Sequence, residues 1–434
     1  MPFGLNGFRG GRRIEVGVAS RELLPLAALV AEAAHAGLTA SLPSGPARAA
    51  ALIAYAELLR EIARRGGQVE MLARAASAAH RARREAGADK VLQAAALFEQ
   101  AQSQHLAFTL LGDTEAADEA SAQAQAALAL NPPPLLATRL KALIQRLRGA
   151  QALVASDRDG VLEAIGALEV SAKILIALKA PLDHVATLTL EHADLLVGLG
   201  ALCHDRTALQ SAESELAALS IRLDQDLQPI SWAQAETLRG QALTALGDVL
   251  GDAASIAEGV AALKSAVAVL PADHSPLDAA RAGHALGLAL QAMGEACDEP
   301  VLFDRAVKAF SPAMAALDRI PALPYRAVVA HDGAVCLARR AERRGDLVAL
   351  EQAEATFRES LKSRSAVADP LAWAVTQVAL ARIYEAQSAL RPDTGERADA
   401  AFALASALDV FSERGLRTLS AATLASLERM RERV

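Results

Sequence analysis

Two histidines, His284 and His331, have a type and a spacing that suit a binding site. They are 47 residues apart, and two imidazoles on neighbouring helices can bind a metal ion together or hydrogen-bond a carboxylate of a partner. A metal site needs further ligands, and no third ligand is evident near either histidine. The pair therefore favours contact with a bound peptide over a metal, and we expect neither a metal nor a cofactor. The plainer alternative, two polar helix residues without a special role, stays open.

The interval of 47 residues recurs in the helical patterns around these histidines. Small residues hold one register, at Gly240, Gly287, Ala334 and Ala381. Large apolar residues follow three places later, at Leu243, Leu290, Leu337 and Tyr384. Each register lies in a run of helical periodicity, and a second such run follows after a turn-prone link. A helical hairpin repeated at a fixed period is typical of an α-solenoid.

Prolines occur at nearly the same period, which predicts the hairpin boundaries, because proline is tolerated in the first turn of a helix but not in its interior. They are Pro134, Pro181, Pro229, Pro276, Pro324 and Pro370. We predict six hairpins, over 135–180, 182–228, 230–273, 276–322, 325–368 and 371–414. Together they form a repeat array over 135–414. We also predict an N-terminal arm over 1–20, N-terminal helical hairpins over 21–134 and a C-terminal capping helix over 415–434.

The second helix of a hairpin carries small, large and small residues in turn, as in Ala306, Phe310 and Ala313. With the small and large pair of the first helix, this pattern resembles the tetratricopeptide repeat over roughly 182–414 and more loosely over 88–180. The usual unit has about 34 residues, against 47 in this chain. We expect the expanded unit to have a longer link between its helices. The resemblance implies an all-α, right-handed α-solenoid of tetratricopeptide-like helical hairpins that works in protein–protein interaction.

The first helix of each hairpin lines the concave groove of such a solenoid, where a partner is expected to bind. Taking the small register as the packed side, we place the groove three and six residues before it and one and four after it. The predicted partner-binding residues are Gln241, Thr244, Arg281, His284, Gln291, His331, Arg382 and Glu385.

These residues predict a non-catalytic adaptor or scaffold that binds a peptide or helix of a partner protein in the concave groove. The alternative is an effector-sensing regulatory protein that controls transcription, secretion or assembly of a surface structure. Phosphate-binding loops, dinucleotide-binding glycine motifs, zinc-protease motifs and serine-hydrolase motifs are all absent from the sequence, so we predict that the chain is not an enzyme. Asp157 to Gly160 resembles part of a calcium loop but lacks its acidic ligands, and we expect Asp159 to cap a helix there.

Composition limits the remaining possibilities for the fold, the partners and the location of the protein. Hydrophobic residues make up 53% but aromatics only 3%, so alanine supplies much of the apolar fraction and favours closely packed helices. The net charge of −7 argues against a nucleic-acid partner, although residues 1–90 hold 13 Lys and Arg against 8 Asp and Glu. Three widely separated cysteines fit a reducing cytoplasm. The most apolar window, 23–42, contains Pro25, Glu32 and His35, so we expect a cytoplasmic protein without membrane insertion.

Overall fold

The structure is a computed structural model that describes residues 21–42, 44–270, 272–320, 324–362, 366, 370–391, 395–413 and 417–432. These residues form 18 α-helices and no β-strand. The predicted N-terminal arm, residues 1–20, lies outside them. The all-α solenoid of tetratricopeptide-like hairpins is confirmed.

The first five helices precede the hairpins that the prolines mark. They are α1 (Leu26–Thr39), α2 (Gly45–Gly66), α3 (Val69–Glu85), α4 (Lys90–Leu111) and α5 (Thr114–Leu128). The next six are α6 (Pro134–Val154), α7 (Arg158–Ala177), α8 (Leu182–Cys203), α9 (Arg206–Arg222), α10 (Pro229–Leu250) and α11 (Ala253–Val269). The last seven are α12 (Pro276–Cys297), α13 (Pro300–Leu317), α14 (Pro324–Arg344), α15 (Leu347–Lys362), α16 (Pro370–Leu390), α17 (Glu396–Glu413) and α18 (Arg417–Glu432).

Prolines and aspartates set the starts of these helices. Pro134, Pro229 and Pro276 each occupy the first turn of a helix, as expected for a residue without a backbone donor. Asp113 caps α5, since its carboxylate accepts a hydrogen bond from Ala116 N at 3.2 Å. The predicted cap by Asp159 is wrong. Asp157 caps α7, because its carboxylate accepts a hydrogen bond from Gly160 N at 3.1 Å. Asp159 lies in the first turn of α7, where its negative charge interacts favourably with the helix dipole.

The turns inside the hairpins are short, so the prediction of a longer link is wrong. His204 and Asp205 alone separate α8 from α9, and Asp298 and Glu299 alone separate α12 from α13. His204 and Asp298 both have a φ of 53°, in the left-handed region that ends a helix sharply. The additional residues of the unit lie in the helices, since α8, α10 and α12 each have 22 residues.

Small residues let the two helices of a hairpin approach closely. A Cβ on Gly287 would lie 2.7 Å from the ring of Phe310, and a Cβ on Gly240 would lie 2.4 Å from Leu263. Leu290, in the large register, is buried with 3% exposure. The small and large registers read from the sequence therefore form the seam of each hairpin, as predicted.

The first helices of successive hairpins pack on one another and form the inner layer, while the second helices form the outer layer. The first and later helices of the inner layer also pack against each other, because α2 contacts α12 and α4 contacts α14. Arg64 Nη1 of α2 donates to Asp278 Oδ2 of α12 at 2.9 Å. Glu22 accepts hydrogen bonds from Ile230 N at 2.9 Å and Ser231 N at 3.0 Å. We call the space bounded by α2, α4, α6, α8, α10 and α12 the lumen.

One described helix, α8, is long and apolar enough to cross a membrane, and 50% of its most apolar window is buried inside the fold. It packs against the neighbouring inner-layer helices α6 and α10 and against the outer-layer helices α7 and α9. Its apolar residues thus form part of the protein core, as in an inner-layer helix of a solenoid. The apolar window at 23–42 forms the shorter helix α1.

Candidate binding site on the inner layer

His284 lies inside the hairpin packing and not in an open groove. Its Nδ1 is 2.8 Å from Tyr325 Oη and its Nε2 is 2.7 Å from Asp332 Oδ2, so both ring nitrogens are engaged by α14. The ring centroid is also 5.8 Å from that of Phe310, and the side chain is buried. His284 therefore joins two hairpins and is buried, while its role as a partner contact stays a prediction.

The same geometry applies to two other predicted groove residues. His331 packs edge-on against Phe357, with ring centroids 5.6 Å apart, at the position equivalent to His284 and Phe310 one period earlier. Thr244 lies against α11, since a Cβ on Gly259 would be 2.7 Å from its hydroxyl. The reason is helical: residues three or four places from a packed position share its face. His284, His331 and Thr244, all predicted for the groove, therefore lie in the hairpin seam.

Arg382 and Glu385 lie in a row of ion pairs across three inner-layer helices. Arg339 contacts Glu295 of α12 at 3.6 Å and Glu342 of its own helix at 3.7 Å. Arg382 of α16 contacts Glu342 at 3.3 Å and Glu385 at 2.7 Å. We call these five residues the charge ladder. Its arginines are already held between carboxylates, so the ladder offers a partner no unpaired cation.

Gln291 lies beside the ladder, where its Nε2 donates weakly to Glu295 Oε1 at 3.4 Å. Arg281 and Gln241 differ from the other predicted residues. The half-buried guanidinium of Arg281 is 6.0 Å from the ring centroid of Tyr325, and Arg281 makes no hydrogen bond or ion pair with any described residue. Gln241 is half-buried on α10. These two remain as predicted partner contacts, and within the described residues no group of three His, Cys, Asp or Glu side chains has metal-binding geometry.

A second set of inner-layer residues, which sequence reasoning missed, lies on α6 and α8. Arg139 and Arg146 are seven residues apart on α6, and His184 and Glu191 are seven apart on α8. Seven residues are about two turns, so each pair shares one face with roughly 10 Å between its members. Arg146 Nη1 donates to the carbonyl oxygen of Glu191 at 3.0 Å, which places the two helices side by side. We call these four residues the lumen cluster.

Each residue of the lumen cluster carries a polar group without a partner among the described residues. The guanidinium of Arg139 is 4.6 Å from the ring centroid of Phe98 and makes no ion pair there. The carboxyl group of Glu191 has no hydrogen bond or ion pair with any residue that the structure describes. Arg146 Nε and His184 Nδ1 are buried without a hydrogen-bond partner, although Arg146 Nη2 contacts Asp194 at 2.7 Å.

Burial shifts the titration of these groups. Burial lowers the pKa of His184, with a further contribution from Arg139, so its imidazole is neutral at pH 7. The nearby His105 is also neutral, because burial, Arg146 and Arg60 lower its pKa to about 3. Burial raises the pKa of Glu191 even though Arg146, Arg139 and Arg60 lie within electrostatic reach. A carboxyl group and a guanidinium, both half-buried and unpaired among the described residues, thus lie on neighbouring inner-layer helices.

A sequence signal for this cluster does exist. The pair on α6 and the pair on α8 have the same spacing of seven, and the second pair follows the first by 45 residues, close to the repeat period. The small register that places the predicted groove begins at Gly240, in α10, and so includes neither α6 nor α8.

The fold aligns with that of known helical-repeat proteins. A Rap protein complexed with competence and sporulation factor has a TM-score of 0.50 and 11% identity, over 89% of this chain and 98% of that chain. The chain has a tetratricopeptide-like fold. A signal transduction ATPase with a tetratricopeptide repeat sensor, from Pyrococcus horikoshii, has a TM-score of 0.48 and 12% identity, over 94% of this chain and 56% of that chain.

Aspartyl phosphate phosphatase F from Bacillus subtilis has a TM-score of 0.42 and 12% identity, over 87% of this chain and 93% of that chain. At these identities the likeness is one of fold. No protein-family model matches the sequence, and no curated protein matches it.

Proposed function

We propose that this chain is a non-catalytic adaptor that binds a peptide or helix of a partner protein on the inner layer of its solenoid. The observation that carries the proposal is the lumen cluster, where charged groups have no partner within the described chain. Arg146 Nε and His184 Nδ1 are the buried atoms among these groups, and a buried polar atom without a hydrogen bond costs about 1–3 kcal/mol. A bound partner that supplies the missing contacts recovers that free energy.

The rest of the inner layer agrees with this proposal. Arg281, on α12, adds a second guanidinium that stacks near an aromatic ring without a carboxylate partner. A Rap protein of the same fold has been solved with competence and sporulation factor bound, which supports a binding role for this chain. The row of inner-layer helices offers successive, regularly spaced side chains, which suits an elongated ligand.

A second candidate function, an effector-sensing regulator, is favoured by the closure of the solenoid. Residues 21–26 contact distant parts of the chain. Glu22 accepts a hydrogen bond from Ile230 N at the start of α10, and Leu26 N donates to Asp273 O, just before α12, at 2.9 Å. A ligand in the lumen that binds the open and closed forms unequally shifts their populations. Such a change can alter a surface that controls transcription, secretion or assembly of a surface structure.

Affinity capture from an extract of the native cells tests the adaptor proposal. The bait proteins are the wild type, Arg139→Gln and the matched control Arg148→Gln, which changes an exposed arginine on the same helix. We expect a protein that the wild type and Arg148→Gln retain and Arg139→Gln loses, identified by mass spectrometry. Equal capture by all three baits would contradict an inner-layer site.

A further inference from the structure

We propose that the lumen cluster binds an extended peptide that carries a carboxylate and a cation about 10 Å apart, with the carboxylate on Arg139 and His184 and the cation on Glu191. This inference rests on the proposed function and names the chemistry of the ligand at that site. It follows from which polar atoms of the cluster are already engaged and which are free.

The four residues define two levels along the neighbouring helices α6 and α8. The hydrogen bond from Arg146 Nη1 to the carbonyl oxygen of Glu191, 3.0 Å long, sets one level. Two turns earlier on both helices lie Arg139 and His184, which set the other level. Burial lowers the pKa of His184, and the charge of Arg139 lowers it further.

The first level suits a carboxylate. The guanidinium of Arg139 lies 4.6 Å from the ring centroid of Phe98, and no described residue accepts a hydrogen bond from it. The neutral His184 can donate from Nδ1, which is buried and unpartnered. Two acidic groups near this level pair with other arginines: Glu99 with Arg60 at 3.1 Å and Glu57 with Arg21 at 3.2 Å. A third, Asp183, lies 3.8 Å from His184 Nε2 and leaves Nδ1 open. A carboxylate that accepts two bonds from Arg139 and one from His184 satisfies all these donors.

The second level suits a cation. Arg146 is held there by Asp194 at 2.7 Å and by the backbone of Glu191, so its charge is balanced. The carboxyl group of Glu191 is left as the acceptor without a partner among the described residues. Burial raises its pKa, and an ammonium or guanidinium group placed against it would favour the ionised form.

The distance between the levels indicates the length of the ligand. An extended chain advances about 3.3 Å per residue, so roughly 10 Å corresponds to about three residues. Two kinds of peptide present the required charges. The ends of a free peptide of three or four residues carry an ammonium and a carboxylate, and a longer partner segment can carry basic and acidic side chains at the same separation.

Equilibrium dialysis of the full chain against three peptide pools, with mass spectrometry of the retained peptides, tests the proposal and separates these sources. The first pool contains random tetrapeptides of uncharged residues with free ends, and the second contains the same sequences with acetylated and amidated ends. The third contains capped tetrapeptides with Asp and Lys at positions one and four, in both orders. Wild type, Arg139→Gln and Glu191→Gln are compared with the exposed controls Arg148→Gln and Glu163→Gln.

We expect the wild type and both controls to retain free-ended or Asp–Lys peptides, and to leave the capped neutral pool. Arg139→Gln and Glu191→Gln should each weaken retention roughly 10- to 100-fold, the value of one charged hydrogen bond. Retention of free-ended peptides alone identifies the termini as the ligand, and retention of the third pool identifies side chains. Equal retention by all variants, or no charge-dependent retention by the wild type, overturns the proposal. Partner capture that still depends on Arg139 would then leave the adaptor function standing.

Discussion

The charge ladder and the lumen cluster are both built from arginines and carboxylates on inner-layer helices, yet they differ in whether each guanidinium has a carboxylate partner. In the ladder, Arg339 and Arg382 each lie between two glutamates. In the cluster, Arg139 lies over an aromatic ring, and Glu191 has no partner among the described residues. Residue type and register alone therefore do not identify a binding site. The groups left unsatisfied by the fold identify it.

The surroundings of the two regions explain why the difference matters energetically. The side chains of the ladder arginines are 34% and 38% exposed, so water screens their ion pairs, although Nε of both arginines is buried without a hydrogen-bond partner among the described residues. In the cluster, the side chain of Arg146 is only 12% exposed. Closure of α2 onto α12 shields the lumen, and a ligand charge gains more free energy there than on the open ladder.

The largest effect is expected from a variant that breaks the contact between α2 and α12. Asp278 is 4% exposed and accepts hydrogen bonds from Arg64 at 2.9 Å, Gln234 at 3.0 Å and the hydroxyl of Ser275. We expect Asp278→Ala to lower the free energy of unfolding by about 3–5 kcal/mol, because it leaves buried donors without an acceptor. Urea unfolding measures the loss, and hydrogen exchange should rise in α2 and α12.

Asp304→Ala is the matched control, since Asp304 is 30% exposed and pairs with arginines near the surface. We expect it to cost less than about 1 kcal/mol. If the two variants were equally stable, the closure would contribute nothing and the lumen would be as open as the ladder.

A change of pH tests the same closure with a smaller effect. Burial alone would raise the pKa of Glu61, but Arg64 and Arg65 lower it from 4.5 to about 2. A carboxylate with a lowered folded-state pKa stabilises the protein above its unfolded-state pKa, and the stability is lost as the pH falls toward the folded-state value. Between pH 5.5 and 2 the wild type should lose about 3 kcal/mol more than Glu61→Gln does. Parallel urea-unfolding profiles of the two proteins would contradict the shift.

The fold was predictable because its determinants are local and repeated. Gly287 and Phe310 belong to one hairpin, and their types recur at each period, so the seam follows from the sequence. The site was not predictable in the same way. Whether an inner-layer arginine is paired depends on contacts between hairpins, such as Arg64 with Asp278, which are 214 residues apart. Some predicted partner contacts lie in the hairpin seam for a simpler reason. Residues three or four places from a packed position share its face of the helix.

A smaller test concerns the junction that leads into the ladder region. Asp332 accepts from His284 Nε2 at 2.7 Å, and its side chain is 24% exposed. Asp332→Ala leaves a buried imidazole nitrogen without its partner, and we expect a loss of about 1–3 kcal/mol in urea unfolding. Asp318→Ala, which removes an exposed pair with Arg326, serves as the control and should cost at most about 1 kcal/mol. Equal losses would mean that His284 is not a structural link between the hairpins.

The smallest expected effect separates two arginines that the groove prediction treated alike. Arg382→Glu places a carboxylate beside Glu342 and Glu385, and we expect a loss of about 1 kcal/mol because the ladder is half-exposed. Partner capture should be unchanged, since the ladder has no unpaired arginine to lose. Arg281→Glu should instead reduce capture with little loss of stability, because its guanidinium has no ion pair with a described residue. Capture that fails with Arg382→Glu and survives with Arg281→Glu would reverse the comparison and make the ladder the binding surface.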